Sequence, residues 1–208
     1  MAEDKKVHLR VETEEIGDFK FAIITGDGFK AHERNDYNSY KVTLEITEDE
    51  AERLQGIIKK FWKENQPSEL PRKTDATKKK PANFDSLVYW NENTKAWSIS
   101  PTSRVKFNDD DEENKVIGIV DADGDKLDPK IFGQFSDGTT GWVSFNLTTY
   151  AEGVSMYLNS VQIDEFVAYE GGGGDGSGNF TKKKGSGKKL DQTSMSKKEK
   201  KPKKKNKE

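Results

Sequence analysis

The chain has 208 residues, 31% of them hydrophobic and 35% charged, with a formal net charge of −2 and no cysteine. The length fits one domain with appendages, and the low apolar content indicates that part of the chain stays outside any folded core. The lack of cysteine excludes disulfides, thiolate catalysis and cysteine-based zinc sites.

The N-terminal part contains one clear strand signal. The opening segment, MAEDKKVHLRVETEE, has no apolar stretch typical of a signal peptide, and no run reaches the length of a membrane span, so we expect a soluble, intracellular protein. Residues 18–25 alternate, which predicts a strand with Phe19, Phe21 and Ile23 on one face. The polar segment TGDGFKAHERNDYN that follows predicts a long exposed loop.

A second strand and the clearest helix come next. Residues 39–46 alternate between apolar and polar side chains, which predicts a strand. Thr47 and Glu50 form an S/T-x-x-E capping box, and Pro67 stops the helix. The apolar stripe of this helix consists of Ala51, Leu54, Ile57, Ile58, Phe61 and Trp62. One helix packed on strands fits an OB-fold-like barrel or another α+β domain, and the helix alone does not separate the two.

Loops and short strands are predicted between residues 67 and 120. Residues 67–83 predict an irregular basic loop around the run KKK, and the acidic run 109–113 predicts a solvated loop. Short strands are predicted over 86–90, 95–99, 103–107 and 116–120, with a turn at 91–94. The predicted fold is therefore mainly β, an OB-fold-like antiparallel barrel with one amphipathic helix. The strand candidates outnumber the five OB positions, so the pattern does not assign them.

Aromatic and basic side chains are interleaved over residues 86–107. Proteins that bind a single nucleic-acid strand stack bases on aromatic rings and contact phosphates with Lys and Arg. Trp142 has the same potential, because its apolar neighbours in the strand face the other way. The predicted nucleic-acid-binding residues are Tyr89, Trp90, Lys95, Trp97, Arg104, Lys106, Phe107 and Trp142. Tryptophans of β domains also pack in cores, so that interpretation stays open for each of them.

No catalytic or metal-binding pattern is found in the sequence. His8 and His32 have no HExxH-type spacing. The run DADGD at 121–125 invites a calcium interpretation, but an EF-hand would need Gly and Glu where Lys126 and Phe132 stand, so a turn is predicted. The Gly-rich segment after residue 170 lacks the GK[ST] ending of a phosphate loop. We therefore expect no enzymatic activity, no metal and no cofactor.

Residues 119–163 carry the most specific pattern. They contain an Asp-rich turn and two alternating runs, GWVSFNLTTY and GVSMYLNSVQ, which predict a two-faced antiparallel hairpin joined at 151–153. This segment resembles the terminal part of bacteriophage single-stranded-DNA-binding proteins with an OB-fold. The block YKVTLEI at 40–46, followed by the helix, is similar to the strand-to-helix unit near the start of such proteins. Between the two blocks only the order and the polarity agree.

This resemblance implies a function. It implies an OB-fold-like domain over residues 1–170 that coats and protects single-stranded DNA during phage DNA replication, recombination or repair, in the cytoplasm of a bacterial host. Single-stranded DNA would be the partner, with phage replication proteins as further candidates and no membrane. The oligomeric state stays open between monomer and homodimer. A second class also fits the residues: a structural or virion-associated β-domain whose basic tail binds nucleic acid or an acidic partner.

Residues 171–208 differ in character from the rest of the chain. A GGGGDGSGN tether leads into a Lys-rich segment with almost no apolar content, and this tail is predicted to be disordered. The tail has 13 lysines against four acidic residues, a net of +9, which leaves residues 1–170 with 22 basic and 33 acidic side chains, a net of −11. Any DNA site on so acidic a domain has to be local. Phage proteins of this kind typically end in an acidic tail; this basic one either contacts phosphates or folds back on the acidic domain.

Overall fold

The described part of the chain, residues 7–29, 37–66, 81–106, 113–135, 137–150 and 153–168 of a computed structural model, contains ten strands and three helices. The strands are β1 (His8–Glu12), β2 (Gly17–Ile23), β3 (Ser39–Ile46), β4 (Val88–Asn91), β5 (Ala96–Ile99), β6 (Thr102–Arg104), β7 (Gly118–Asp121), β8 (Gln134–Phe135), β9 (Thr139–Tyr150) and β10 (Gly153–Glu165). The helices are α1 (Glu48–Asn65), α2 (Phe84–Leu87) and α3 (Pro129–Phe132). In these ranges no helix is long and apolar enough to cross a membrane.

Several predicted segments fall outside these ranges. They are the middle of the predicted exposed loop (30–36), most of the basic loop (67–80), the last residue of the strand predicted over 103–107, most of the acidic run (109–112), two residues of the hairpin connection (151–152) and the predicted tether and tail (171–208). The boundary predicted between residues 170 and 171 likewise stays a prediction.

Five strands pair with one another in a ring. β2 pairs with β3, β3 with β6, β6 with β10, β10 with β9, and β9 with β2 again. A five-stranded, nearly closed barrel with this mainly β composition is OB-fold-like, as predicted. In chain order the five OB positions are β2, β3, β6, β9 and β10. The barrel departs from the fully antiparallel expectation at β6, which runs parallel to β10.

The remaining strands extend the ring. The β4–β5 hairpin continues the sheet from β3, β1 pairs with β9, β7 pairs in parallel with β10, and β8 pairs with β2. The polar N-terminal segment did not predict β1. It forms because the strand lies along β9 in a register that runs from His8 opposite Thr148 to Glu12 opposite Ser144, which buries Val11.

Helix α1 begins as predicted and packs its apolar stripe on the barrel. The backbone N–H of Glu50 donates to Thr47 Oγ1 at 3.1 Å, which is one half of the capping box. The buried Glu50 carboxylate accepts instead from the backbone N–H of Glu14, at 3.0 Å, and from Arg53, at 2.7 and 2.8 Å. The hydrogen bonds to Glu50, and then its charge, raise the pKa of Arg53 above its ordinary value. Arg53 also donates to the carbonyl of Glu12 at 2.8 Å. The helix start is thereby tied to the end of β1.

A β-bulge in β2 overturns one predicted arrangement. Phe19 lies opposite Leu44 and is fully buried, whereas Phe21 lies opposite Thr43 with 39% of its surface exposed. The register shifts between the two phenylalanines, and the extra residue of the bulge turns the following side chains to the other face. The prediction that Phe19, Phe21 and Ile23 share one face is therefore wrong.

The segment that was predicted to hold a strand at 86–90 begins with a helical turn. Phe84–Leu87 form α2, whose Phe84 and Leu87 are buried, and β4 starts only at Val88. The predicted turn after β4 is confirmed. Lys95 adopts a positive φ of 57° there, and its backbone N–H donates to the carbonyl of Asn91 at 2.7 Å.

Candidate nucleic-acid interface

The outer surface of β3 and its neighbours forms one continuous polar and aromatic surface. Along β3, Tyr40, Val42 and Leu44 point into the barrel and are buried, so Lys41 and Thr43 point outward. Residues directly opposite each other in paired strands share a face. We define the barrel face as the outward side chains of β2, β3, β6 and the adjacent part of β10: Phe21, Lys41, Thr43, Thr102, Arg104 and Tyr157.

A cation–aromatic pair stands at one end of the barrel face. The Arg104 guanidinium carbon lies 4.1 Å from the centroid of the Tyr37 ring, and both side chains are exposed. Together with Asp27, Lys106 and other neighbours they line a groove of about 390 Å³. A guanidinium next to an aromatic ring can pair with phosphate through its N–H groups while the ring offers a face for stacking.

Exposed aromatic rings also lie on the barrel face. Phe21 is 39% exposed and Tyr157 is 44% exposed, on opposite sides of the barrel face. Phe29 contacts Phe21 edge to face, with 5.9 Å between ring centroids, and exchanges backbone hydrogen bonds with Ser39 at 2.8 and 2.9 Å. The rings of Phe21 and Tyr157 therefore lie on the surface of the strands and not in the core.

Positive charge lies beside these rings. Lys41 and Lys106 are partly exposed at the barrel face. Lys115 is more enclosed: its Nζ donates to Ser103 Oγ at 2.7 Å, and burial lowers its pKa. Asp27 is the acidic side chain that lines the groove. Among the described residues that line the groove, two cations, Arg104 and Lys106, therefore face one carboxylate.

Tyr89 belongs to this side of the sheet, whereas Trp90 and Trp97 do not. Tyr89 and Ser98 are opposite each other and share the outward side with Glu45. The Tyr89 hydroxyl is hydrogen-bonded to Ser100 Oγ at 3.0 Å. Alternation places Trp90 and Trp97 on the other side of the hairpin.

The two hairpin tryptophans form a pair of their own. Trp90 and Trp97 lie opposite each other, with ring centroids 5.8 Å apart in an edge-to-face arrangement. Trp97 lies opposite Ile46 and packs against the core, while Trp90 is 44% exposed. Since Ser39, opposite Arg104, is seven residues from Ile46 along β3, the pair lies roughly 23 Å from Arg104.

The other predicted site residues are distributed over the molecule. Lys95 stands in the β4–β5 turn, where its Nζ contacts Glu92 at 2.7 Å with both side chains exposed. Trp142 lies on the outer side of β9, partly buried in a separate groove. Phe107 lies outside the described residues. The structure thus brings Tyr89, Arg104 and Lys106 to one side of the sheet and places Trp90, Lys95, Trp97 and Trp142 elsewhere.

Sequence reasoning missed Phe21, Phe29, Tyr37, Lys41 and Tyr157. A signal existed for Tyr157, which alternates with buried Met156 and Leu158 and so had to face outward. The outward position of Lys41 likewise follows from its alternation with buried Tyr40 and Val42. The positions of Phe21, Phe29 and Tyr37 depend on the bulge in β2 and on strand pairings that periodicity does not encode.

The Asp-rich run at 121–125 forms a turn, as predicted. Asp121 Oδ1 accepts from the backbone N–H groups of Asp123 and Asp125 at 3.0 and 2.9 Å, and Gly124 adopts a φ of +85°. Within the described ranges no group of three or more His, Cys, Asp or Glu side chains could hold a metal ion.

Fold and surface together define an OB-fold-like domain with an open aromatic and cationic face. Among solved structures the chain is similar to gp2.5, a single-stranded DNA-binding protein encoded by bacteriophage T7, with 17% identity, 86% of this chain and 100% of that chain covered, and a TM-score of 0.51. It is also matched by the single-stranded DNA-binding protein of bacteriophage Enc34. The structure of that protein in complex with single-stranded DNA has 17% sequence identity, covers 76% of this chain and 86% of its own, and gives a TM-score of 0.44.

These likenesses concern the fold. The predicted resemblance to phage single-stranded-DNA-binding proteins is confirmed at that level by the T7 protein. No protein-family model and no curated protein sequence matches the chain.

Proposed function

We propose that this protein binds single-stranded DNA on the barrel face and coats the strand. The observation that carries the proposal is the Arg104–Tyr37 pair, 4.1 Å apart, on the β3–β6 surface between the exposed rings of Phe21 and Tyr157. In OB-folds the face of the second and third strands binds oligonucleotides, and those strands correspond to β3 and β6 here.

The chemistry of the barrel face suits unpaired bases. Stacking one base on an aromatic side chain contributes about 1–3 kcal/mol and tolerates any sequence, because every base has a π face. Arg104, Lys41 and Lys106 supply phosphate contacts beside the rings. A duplex keeps its bases stacked internally, so it could use only the cations, and the acidic remainder of the domain would repel it.

The T7 protein with a similar fold is a single-stranded DNA-binding protein, which supports the same activity for this chain. We place that activity in phage DNA replication, recombination or repair, in the host cytoplasm. Coating would keep exposed strands from re-pairing and from nucleases, and it would need neither an enzymatic step nor a cofactor.

The test compares fluorescence anisotropy of labelled oligo-dT with that of a duplex of equal length. We expect the full chain and a chain ending at residue 170 both to prefer the single strand by about tenfold or more. Equal affinity for the duplex would contradict the proposal. If single-strand binding were lost on removal of residues 171–208, the barrel face would not be the site, and the alternative of a structural domain with a nucleic-acid-binding tail would be favoured.

A further inference from the structure

A second groove lies on the outer surface of the barrel, away from the Arg104–Tyr37 pair. It has a volume of about 400 Å³ and crosses β9 and β10 between β1 and β7. Its walls include Arg10, Val120, Trp142, Ser144, Ser160 and Gln162. Trp142 lies opposite Gln162, and Ser144 lies opposite Ser160, so these side chains share the outward face.

Hydrogen bonds hold the walls of this groove in place. Arg10 Nε donates to Ser144 Oγ at 3.1 Å. The Gln162 side-chain amide donates to the carbonyls of Asp121 and Ala122 at 3.2 Å each. The groove therefore combines the Trp142 indole with polar side chains that hydrogen bonds hold in place, so binding would require little ordering of those polar groups.

The charge of the groove suits a base better than a bare phosphate. Arg10 is paired with Glu12 at 2.8 Å, and both side chains are more than half exposed, so the rim carries one positive and one negative charge. The polar groups beside Trp142, from Ser144, Ser160 and Gln162, are uncharged. A neutral polar pocket around an indole matches the stacking and edge hydrogen bonding that a nucleobase offers.

The groove is continuous with the barrel face through Tyr157. Tyr157 is paired with Thr102 of β6 on one side and with Asn146 of β9 on the other, and Asn146 is in turn opposite Arg10. Gln162 is five residues further along β10, roughly 15 Å from Tyr157 at the rise of a strand. A DNA strand that leaves the barrel face over Tyr157 would meet Trp142 within a few nucleotides.

We propose that this groove is a second subsite for the same DNA strand, in which a base stacks on Trp142 while the backbone passes Arg10. This inference rests on the proposed function, because the strand must first occupy the barrel face. It predicts that a long oligonucleotide uses both subsites, whereas a short one is held by the barrel face alone.

The test measures the affinity of oligo-dT of about 4 and about 16 nucleotides, the range of site sizes for one OB fold. We expect Trp142→Ala to weaken binding of the long oligonucleotide about tenfold and to leave the short one nearly unchanged. Arg104→Ala should weaken both lengths. Val116→Ala, at a position that is 74% exposed and outside both grooves, is the matched surface control and should weaken neither.

A second variant covers the case in which Trp142→Ala fails to fold. Trp142→Phe keeps an aromatic face, so it should bind the long oligonucleotide with near-native affinity. It should also lose the part of the tryptophan quenching that the long oligonucleotide causes in the native chain. Unchanged quenching in Trp142→Phe, or full affinity in a folded Trp142→Ala, would overturn the second subsite while leaving the proposed function intact. Failure of the native chain to bind either length would instead refute the proposed function itself.

Discussion

The guanidinium of Arg104 lies 4.1 Å above the ring of Tyr37, across a loop and a strand that are 67 residues apart in the chain. The contact joins a cation to an aromatic plane at the open end of the barrel face. An exposed pair of this kind contributes about 0.5–1 kcal/mol, and it keeps the guanidinium beside the ring.

Two replacements of Arg104 test separately the roles of its positive charge and of its planar guanidinium. We expect Arg104→Ala to weaken oligo-dT binding about tenfold at low salt and to reduce the slope of log K against log salt by about 0.7, the value for one phosphate contact with a single strand. Arg104→Lys should keep the salt dependence of binding but lose part of the affinity, because an ammonium lacks the planar group that stacks on an aromatic ring. Anisotropy titrations at several salt concentrations measure both quantities. A slope that is unchanged in Arg104→Ala would mean that this side chain does not contact phosphate.

The exposed rings of Phe21 and Tyr157 give a second prediction. Each replacement by Ala should weaken single-strand binding by about 1–3 kcal/mol. Because both rings are about 40% exposed, the melting temperature should stay close to that of the parent chain. Val116→Ala is the control for a general surface effect. Loss of stability without loss of affinity would show that these rings serve packing.

The basic tail gives a third prediction: its removal changes DNA affinity in opposite directions for its two possible roles. Removing residues 171–208, with a net charge of +9, should lower affinity and flatten the salt dependence if the lysines contact phosphates, since fewer counterions are then released on binding. The loss should be largest at about 50 mM salt and small above about 200 mM. A truncated chain that binds more tightly would show that the tail covers the acidic domain.

Stability at alkaline pH depends on Tyr40. Burial is the main cause that raises the pKa of this phenol above its ordinary value of 10.0, and the carboxylate of Asp27 adds to the shift. The hydroxyl donates to the carbonyl of Gly26 at 2.9 Å. Since the folded state holds the proton more strongly, the stabilisation is complete below about pH 10 and is lost as the pH rises through the raised pKa.

The variant Tyr40→Phe tests whether folding stability falls at alkaline pH because of Tyr40. At about pH 8 it should be less stable than the parent chain by about 1 kcal/mol, the usual contribution of one hydrogen bond. Above about pH 10 the difference should shrink, because only the parent chain has a phenol that ionises on unfolding. Urea unfolding at the two pH values measures it. A difference that stays constant would argue that the Tyr40 pKa is not shifted.

Local patterns were sufficient to predict some elements of the fold. Strand β3 was predicted with its observed ends, because apolar and polar side chains alternate without interruption over 39–46. Helix α1 was predicted from Thr47, whose side chain accepts the capping hydrogen bond. The outward position of Trp142 followed from the same alternation in β9. In each case the information lies within one contiguous segment.

The barrel face could not be predicted as a whole, because strand pairing brings its residues together. Ser39 places Arg104 beside it only once β3 and β6 are in register, and Tyr37 reaches that arginine from a segment whose polar composition predicted a loop. Trp90 and Trp97 are near Arg104 in the chain, yet alternation on a different strand pair turns them to the other side of the sheet. Proximity in sequence therefore grouped residues that the fold separates.

Strand β1 joins the two ends of the described chain. His8 is hydrogen-bonded to Thr148 at 2.7 Å, across a separation of 140 residues, and buried Val11 lies opposite Phe145 of β9. During synthesis β1 therefore has no strand to pair with until β9 has left the ribosome. Contacts of such long range slow folding, since a large loop has to close before they form. In the nascent chain β1 therefore stays unpaired, and its docking onto β9 is a late step in the folding of the domain.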